Sequence, residues 1–393
     1  MTGTLGARLD AATAGLPAPL VVVDLDAVEA NADDLVRRAD GVPIRVASKS
    51  VRVPDVIERA LARPGFAGVM AYSVREATWL ARRGVTDVLL GYPSVDTGAI
   101  DQLAADPVAR ERVTLMVDDT AQADLAAHAA RSHGAELAVC LDVDASLRLR
   151  LGPFTAHLGV RRSPVHTAQD AHTLAAAVAR RPGLRVRGVM FYEAQVAGLP
   201  DTSPAVRMVK RLSVADLAQR RVEVVDAVQD AVGHPLELVN SGGSGSVQTS
   251  AGAPAVTEVT AGSGLFVPTL FDGYRSFSPR PAAFFGLDVV RVPAPGMATA
   301  FGGGYIASGP PTASRQPTPV WPLGASLTPR EGAGEVQTPL RLHGADVRVG
   351  DRVWFRHAKA GEVMERFTEV HLVRGSERVA TVPTYRGEGL AFG

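Results

Sequence analysis

Between residues 44 and 261 the chain repeats one pattern. A short apolar or β-branched run is followed by a stretch in which Ala, Leu and Val recur at helical spacing among Arg and Asp. The runs at 44–48, 68–73, 88–91, 113–118, 136–143, 185–191, 236–240 and 257–261 predict eight strands. The stretches at 54–62, 75–83, 96–105, 120–132, 165–181 and 204–232 predict helices. Pro54 and Pro204 stand where a first helical turn accepts proline, and Asp119 and Ser203 are placed to cap. Parallel neighbours need a long crossover, so the alternation predicts a parallel sheet. Eight such units, over roughly 220–250 residues, match an α/β fold of the TIM-like (β/α)8 barrel kind. An open, doubly wound sheet is the alternative. One more strand and helix, at 21–25 and 26–38, precede the eight. That strand exceeds what a closed barrel needs, so it is expected to pair elsewhere.

After about residue 265 helical periodicity disappears and Pro and Gly become frequent. Short β-branched or aromatic runs at 284–292, 304–307, 351–355, 367–373 and 378–382 predict a smaller, mainly antiparallel β-domain. Residues 308–338 read as a long loop or insertion. The expected division is a barrel over 18–265 and a C-terminal β-domain over 266–393, joined by residues 1–17.

Composition then narrows the function. Lys and Arg number 41 and Asp and Glu 41, so the net charge is zero and nothing electrostatic favours nucleic acid or an anionic membrane. No apolar run approaches the roughly 18–20 residues that cross a bilayer, and no secretory leader is visible at the start. A single cysteine, Cys140, excludes a disulfide framework and suits a reducing cytosol, so a cytoplasmic location is expected. Only Lys49, Lys210 and Lys359 are lysines, which narrows any search for an amine nucleophile.

Lys49 stands at the C-terminal end of the first barrel strand, the end that forms the catalytic face of such barrels. A free ammonium is costly to bury there, and an aldehyde cofactor held as an imine removes the cost. A lysine that snorkels at a strand end is the alternative. The sequence SGGSGS at 241–246 follows the seventh strand, and AGSG at 261–264 follows the eighth. Closely spaced glycines and hydroxyls let backbone N–H groups converge on an anion. Loops after strands 7 and 8 are the usual phosphate position in this barrel class. There is no Walker sequence and no dinucleotide fingerprint. The combination points to pyridoxal 5′-phosphate.

The chain resembles the fold-type III enzymes of the alanine racemase superfamily. Within them it is most similar to the D-threonine aldolase and D-serine dehydratase branch, including proteins described as amino-acid deaminase/aldolase. The resemblance rests on VDLDAVEAN at 23–31, Lys49, SGGSGS at 241–246, EVTAGS at 258–263 and FRHAKAGE at 355–362. It implies a barrel followed by a β-domain, and a homodimer with sites at the subunit interface. By that resemblance Lys49 matches the cofactor-bearing lysine. Ser241, Gly242, Gly243 and Ser244, with Gly262 and Ser263, match the phosphate cradle. Tyr192 falls where the family has a tyrosine near the cofactor, although a core tyrosine at a strand end reads the same way. The family's arginine toward the cofactor hydroxyl has three candidates here: Arg148, Arg150 or a replacement by His157.

The branch binds a divalent metal through a histidine, one spacer and an aspartate or cysteine. His357 keeps the first ligand, but Lys359 stands at the second position, with Glu362 a possible substitute ligand. An ammonium cannot coordinate a metal until it loses its proton. Either a bend brings Glu362 to a metal, or Lys359 supplies the positive charge itself; an ordinary surface cluster is the third reading. The implied activity is a lyase acting on a D-3-hydroxy amino acid, by retro-aldol cleavage to glycine and an aldehyde. His357 and Lys359 join Lys49 as candidate catalytic residues. A D-serine or D-threonine dehydratase is the first alternative, then an amino-acid racemase, then a non-catalytic cofactor-binding protein. A racemase would need a second base, for which Tyr274 stands in a poor sequence context. Arg45, Arg275 and Arg356 are available to a substrate carboxylate.

Overall fold

The computed structural model describes residues 4–152, 154–310 and 312–392, except for the side chains of Arg150 and Leu151. The first strand is β1 (Leu20–Asp24); β2 (Ile44–Ala47), β3 (Phe66–Ala71), β4 (Val88–Leu90), β5 (Val113–Val117) and β6 (Leu137–Val143) follow. A hairpin of β7 (Leu147–Leu151) and β8 (Phe154–Leu158) interrupts the rhythm before β9 (Leu184–Phe191), β10 (Leu238–Ser241) and β11 (Glu258–Ala261). Strands β2 to β6 and β9 to β11 form a closed parallel barrel, sealed where β11 pairs with β2. The expected eight-stranded barrel is therefore present. Asp119 caps the helix Thr120–Ser132 through a capping box, and Ser203 caps Pro204–Val232 by accepting from the N–H of Val206. Among the described residues no helix is long and apolar enough to cross a membrane.

The barrel interior is layered by chemistry. Leu89, Met116, Cys140, Met190 and Leu238 make a buried apolar layer. Arg45, with no exposed surface, reaches Glu258 at 2.6 and 2.7 Å and Asp87 at 2.9 Å. Arg187 joins Asp87 at 2.8 Å, and the amide of Asn240 donates to Glu258 at 2.6 Å. Arg45, Asp87 and Glu258 stand on or beside the first residues of their strands, so the cluster is centred toward the end opposite the turns that follow the strands. Near the other end lies Asp142, where burial first and the nearby Asp118 charge second push its carboxyl up to about 7, against the pull of Arg162.

The second sheet has nine strands. It contains β1, β12 (Ala283–Ala294), β13 (Met297–Phe301), β14 (Thr318–Trp321), β15 (Ala325–Leu327), β16 (Gln337–Leu342), β17 (Arg352–Arg356), β18 (Glu369–Arg374) and β19 (Glu377–Pro383). The surplus first strand pairs here, antiparallel to β12 and parallel to β18. Its fully buried Val22 packs with Phe284, Trp354 and Val373 over the helix Leu5–Ala12, which contributes Leu9. Two expectations differ from the structure. Residues 304–307 are not a strand, because Gly302 and Gly303 take φ of 83° and 112° and turn the chain out of extended form. Residues 308–338 are not simply a loop: they hold β14 and β15, whose alternation Pro319, Pro322 and Gly324 had obscured.

The chain divides into two compact units. One holds the residues up to Asp34, Lys49–Arg59 and Gly262–Ala391; the other holds Leu35–Ser48, Ala60–Ala261 and the last two residues. Relative to the division at 18 and 265, residues 18–34 and 49–59 go with the sheet, the former because β1 is one of its strands.

Two measurements test this interior. Glu258→Ala leaves Arg45 buried with one partner removed, and we expect a loss of about 3–5 kcal/mol in denaturant unfolding; a loss below about 1 kcal/mol would show the plug to be dispensable. For Asp142 the folded pKa lies above the ordinary 3.8, so the native state holds the extra proton and stability falls as pH rises between 3.8 and about 7. Asp142→Asn should flatten that part of the Tm-against-pH curve and melt higher than the parent at pH 8. An unchanged slope would remove Asp142 as its cause.

Candidate functional site

Lys49 lies half-buried in the single 3-10 turn Ser48–Ser50 that ends β2. Within the sheet unit two residues fix the backbone of that turn. The guanidinium of Arg52 donates to the Lys49 carbonyl at 3.1 Å. Gly361, at φ 86°, packs against the same carbonyl so closely that a Cβ there would come within 1.9 Å of the oxygen. Only glycine fits, and this close approach seats the 357–362 segment against the Lys49 turn.

His357 follows β17 and is 3% exposed. Its backbone carbonyl accepts from the N–H of Thr269 at 3.0 Å. Neither ring nitrogen has a partner within strict hydrogen-bonding geometry, but the backbone of Ala283 acts on the ring as a hydrogen-bond partner. Burial, aided by the Arg356 charge, pushes the imidazole down to about 4, so it is neutral at pH 7. Lys359 donates to the Ser308 hydroxyl at 2.6 Å and lies 3.6 Å from Glu362. Glu362 accepts from the N–H of Ser308 at 2.7 Å and from its hydroxyl. Burial raises the Glu362 carboxyl, but these bonds and the charges of Lys359 and Arg52 outweigh it and hold the group below its ordinary value. Arg52, Tyr305, Ser308, His357, Lys359 and Glu362 line one cavity of about 480 Å³. In the same unit Gly262 and Ser263 form the turn after β11. The amide of Asn31 anchors it, donating to the carbonyls of Leu265 at 3.1 Å and Arg280 at 2.7 Å.

In the barrel unit the 241–246 loop is organised by a carboxylate. Glu193, buried beside Tyr192, accepts from the Ser241 hydroxyl at 3.0 Å, the Gly242 N–H at 3.1 Å and the Ser246 hydroxyl at 3.2 Å. The Ser250 hydroxyl adds a fourth bond. Gly242 has φ 90°, and a Cβ on Gly243 would meet Ala197 at 2.9 Å and Tyr192 at 3.5 Å. The Ser244 carbonyl accepts from Arg38 at 3.0 Å. Tyr192 thus lies against the loop, with the Arg162 guanidinium 5.3 Å from its ring centre. Ser241 faces inward, its hydroxyl also donating to the Phe191 carbonyl and accepting from Arg221.

Of the three candidates for the cofactor hydroxyl, Arg148 is bound to Asp144 at 2.7 Å, and His157 meets the Val160 carbonyl at 3.1 Å. The side chain of Arg150 lies outside the described residues. The three substrate-carboxylate arginines separate too. Arg45 plugs the barrel, Arg356 is paired with Asp272 at 2.8 Å, and Arg275 is exposed. Tyr274, the position weighed as a racemase base, stacks on Phe271 at 5.1 Å within an apolar cluster.

The residues fit pyridoxal phosphate. The turns leaving the adjacent strands β10, β11 and β2 carry the glycine–serine loop, the Gly262–Ser263 turn and Lys49, the residue types that a phosphate and an imine require. A divalent metal does not fit the donor set. An ammonium stands at the second ligand position, Glu362 is committed to Ser308 and Lys359, and among the described residues no three His, Cys, Asp or Glu side chains assemble a metal site. Sequence reading missed Glu193, Arg162 and Asp142. Tyr192 and Glu193 were visible as neighbours, but Glu193's partners are 48 to 57 residues away, beyond any local pattern.

Comparison with known proteins agrees with this geometry. The chain is 30% identical over 253 residues to 3-hydroxy-D-aspartate aldolase of Paracoccus denitrificans strain Pd 1222, a match covering 63% of this chain and 60% of that one. The chain therefore spans about three fifths of that relative's length. D-threonine aldolase from Filomicrobium marinum superposes with a TM-score of 0.79 at 23% identity, covering 95% of this chain and 96% of the other. D-threo-3-hydroxyaspartate dehydratase from Delftia sp. HT23 gives 0.72 at 22%, covering 94% and 98%. These two show the shared fold. The family model described as alanine racemase, N-terminal domain, matches residues 23–269, and the chain belongs to that family.

Proposed function

We propose that the chain is a pyridoxal 5′-phosphate-dependent lyase that cleaves a D-3-hydroxy amino acid to glycine and an aldehyde by a retro-aldol reaction. One observation carries the reading. The cavity lined by His357 and Lys359 belongs to the segment that Gly361 seats against the Lys49 turn. The names of the relatives, two aldolases and a dehydratase of 3-hydroxy amino acids, support the same chemistry.

Lys49 would hold the cofactor, Tyr192 would flank its ring, and Gly242, Gly243, Ser244, Gly262 and Ser263 would take its phosphate. Ser241 contributes from behind, by keeping the loop on Glu193. When bound, the cofactor supplies the electron sink for bond cleavage at Cα. The chain's own residues do the rest. His357, neutral at pH 7, accepts the proton of the β-hydroxyl. Lys359, fixed by Ser308 and Glu362, holds positive charge beside that oxygen and lowers the cost of removing the proton. This is the part a divalent metal would otherwise play, so we propose that Lys359 replaces it. A homodimer in the cytoplasm completes the reading.

Borohydride reduction of the holoenzyme followed by peptide mass spectrometry should place the label on Lys49, and Lys49→Ala should lose the long-wavelength absorbance. A label on another residue would sink the cofactor assignment. With D-threonine the product is expected to be glycine plus acetaldehyde; 2-oxobutanoate plus ammonia would instead make the chain a dehydratase.

Activity should survive dialysis against EDTA, and Lys359→Met should lower kcat about 100-fold, as loss of one fixed charge on a developing anion does. Stoichiometric zinc or manganese by elemental analysis, with activity lost on its removal, would overturn the substitution by lysine.

A further inference from the structure

The barrel unit holds a buried cation that its surroundings leave largely unmatched. Arg221, on the helix Pro204–Val232, is 2% exposed. Its Nη2 donates to the Ser241 hydroxyl at 3.2 Å, while Nε and Nη1 have no partner. Among the described residues it forms no ion pair. The preceding Arg220 shows the contrast. It pairs with Asp216 at 2.9 Å and donates to the carbonyls of Asp144 at 2.7 Å and Ser146 at 3.0 Å. A buried guanidinium with so few partners is expensive, so its position calls for a compensating charge. That charge is Glu193, one hydroxyl away. Ser241 accepts from Arg221 and donates to the Glu193 carboxylate at 3.0 Å, so cation, hydroxyl and anion form a chain that runs into the glycine–serine loop. Burial pulls Arg221 below its ordinary value; the Glu193 charge opposes that pull, and the Arg220 charge adds to it. The Phe191 ring, its centre 5.3 Å from the guanidinium carbon, covers another side.

Glu193 organises the loop, but it also sets a negative charge beside the position proposed for a phosphate. The Gly242 N–H is engaged by Glu193 and the Gly243 N–H by the Ser246 hydroxyl, which leaves anion binding more dependent on nearby charge. We propose that Arg221 is a positioning residue for the cofactor's phosphate: acting through Ser241, it neutralises Glu193, so that a loop built on a carboxylate accepts a dianion. Without Arg221 the loop keeps its bonds to Glu193 but presents that carboxylate uncompensated. The proposal rests on the cofactor reading above. It assigns a residue that, with Nε and Nη1 closed off from the surface, acts by charge rather than by contact.

The test compares pyridoxal 5′-phosphate with pyridoxal, which has the same ring and aldehyde but no phosphate. The full chain is stripped of cofactor and titrated with each, followed by absorbance and by borohydride trapping on Lys49. Arg221→Met should weaken binding of the phosphate ester about tenfold or more and that of pyridoxal by less than about threefold, as loss of one buried unit charge several ångströms from the phosphate does. Arg221→Lys should restore most of the preference for the ester. Glu193→Gln keeps an acceptor for the loop and removes the charge. Alone it should raise the preference for the ester; combined with Arg221→Met it should return the ratio toward that of the parent. Circular dichroism reports whether each fold persists, and should Arg221→Met not fold, Arg221→Lys and the opposite shift of Glu193→Gln carry the test. Equal weakening of both ligands, which a merely structural role gives, overturns the proposal. So does a ratio that Glu193→Gln leaves unchanged, or a double variant no better than Arg221→Met. If the parent traps neither aldehyde on Lys49, the cofactor reading falls instead; trapping of both with an unshifted ratio defeats only the role of Arg221.

Discussion

The ion pair between Arg45 and Glu258 fastens the seam of the barrel. Arg45 is on β2 and Glu258 on β11, the two strands whose pairing closes the eight-stranded ring. Both charges are buried, so neither is tolerable without the other, and Asp87, Arg187 and Asn240 supply the further bonds that burial demands. The register of the seam sets Thr260 opposite Arg45 and Ala261 opposite Val46. Lys49 follows Arg45 by four residues, and Gly262 follows Glu258 by four. The charged plug thus fixes, from the inactive end, the two strands whose far ends give rise to a lysine turn and a glycine–serine turn. A one-residue slip at this seam would turn Arg45 and Glu258 out of the interior, so the pair specifies register as well as closure.

The two glycine–serine turns are held in different ways, and neither hold is local. Glu193 takes four donors from the 241–250 stretch and leaves Gly242 at a positive φ that other residues resist. In doing so it draws the serine hydroxyls inward. Two backbone N–H groups of the loop are engaged in the same way, that of Gly242 by Glu193 and that of Gly243 by the Ser246 hydroxyl. Asn31 does the corresponding work for the Gly262–Ser263 turn, through the carbonyl of Leu265 just after it and that of Arg280 farther along the chain. This gives a physical reason for an asparagine at the end of the VDLDAVEAN stretch: the helix it starts carries an anchor for a turn 234 residues later.

Periodicity made the barrel legible, because a buried parallel strand and an amphipathic crossover helix differ in pattern at every repeat. The surplus of β1 was legible by counting. The sheet was less so. Its strands β14 and β15 are short and interrupted by Pro319, Pro322 and Gly324, and the inward positions of β13 are the small Ala298 and Ala300, which give a weak apolar signal. In the candidate site, Lys49 and the glycine–serine segments stood out because their residue types are rare or clustered. Glu193, Arg162 and Asp142 did not, since each owes its setting to partners that meet only in the folded barrel. Partners explain Asp142 in particular: both carboxylates of the run Leu-Asp-Val-Asp at 141–144 are buried, but bonds from His166, Ser146 and Arg148 hold Asp144 below its ordinary value, while Asp142, lacking such bonds, is pushed up to about 7 by burial.

The proposed replacement of a metal ligand by Lys359 would change what the neighbouring histidine can do. A metal would engage a lone pair of His357 and remove it as a proton acceptor. An ammonium makes no such demand, because it only donates. His357 therefore keeps its one acceptor nitrogen for a proton, and burial keeps the ring neutral. The trade is one of strength, since a single ammonium polarises an oxygen less than a divalent ion does. The low pKa of His357 also makes it a weak base, so deprotonation of a β-hydroxyl here has to draw on the charge around it. The cavity has that charge: Lys359 is fixed at 2.6 Å to Ser308, and three arginines share the same walls. A weak buried base surrounded by fixed cations is consistent with a site in which the electrostatic field, rather than a coordinated ion, stabilises the oxygen as it loses its proton.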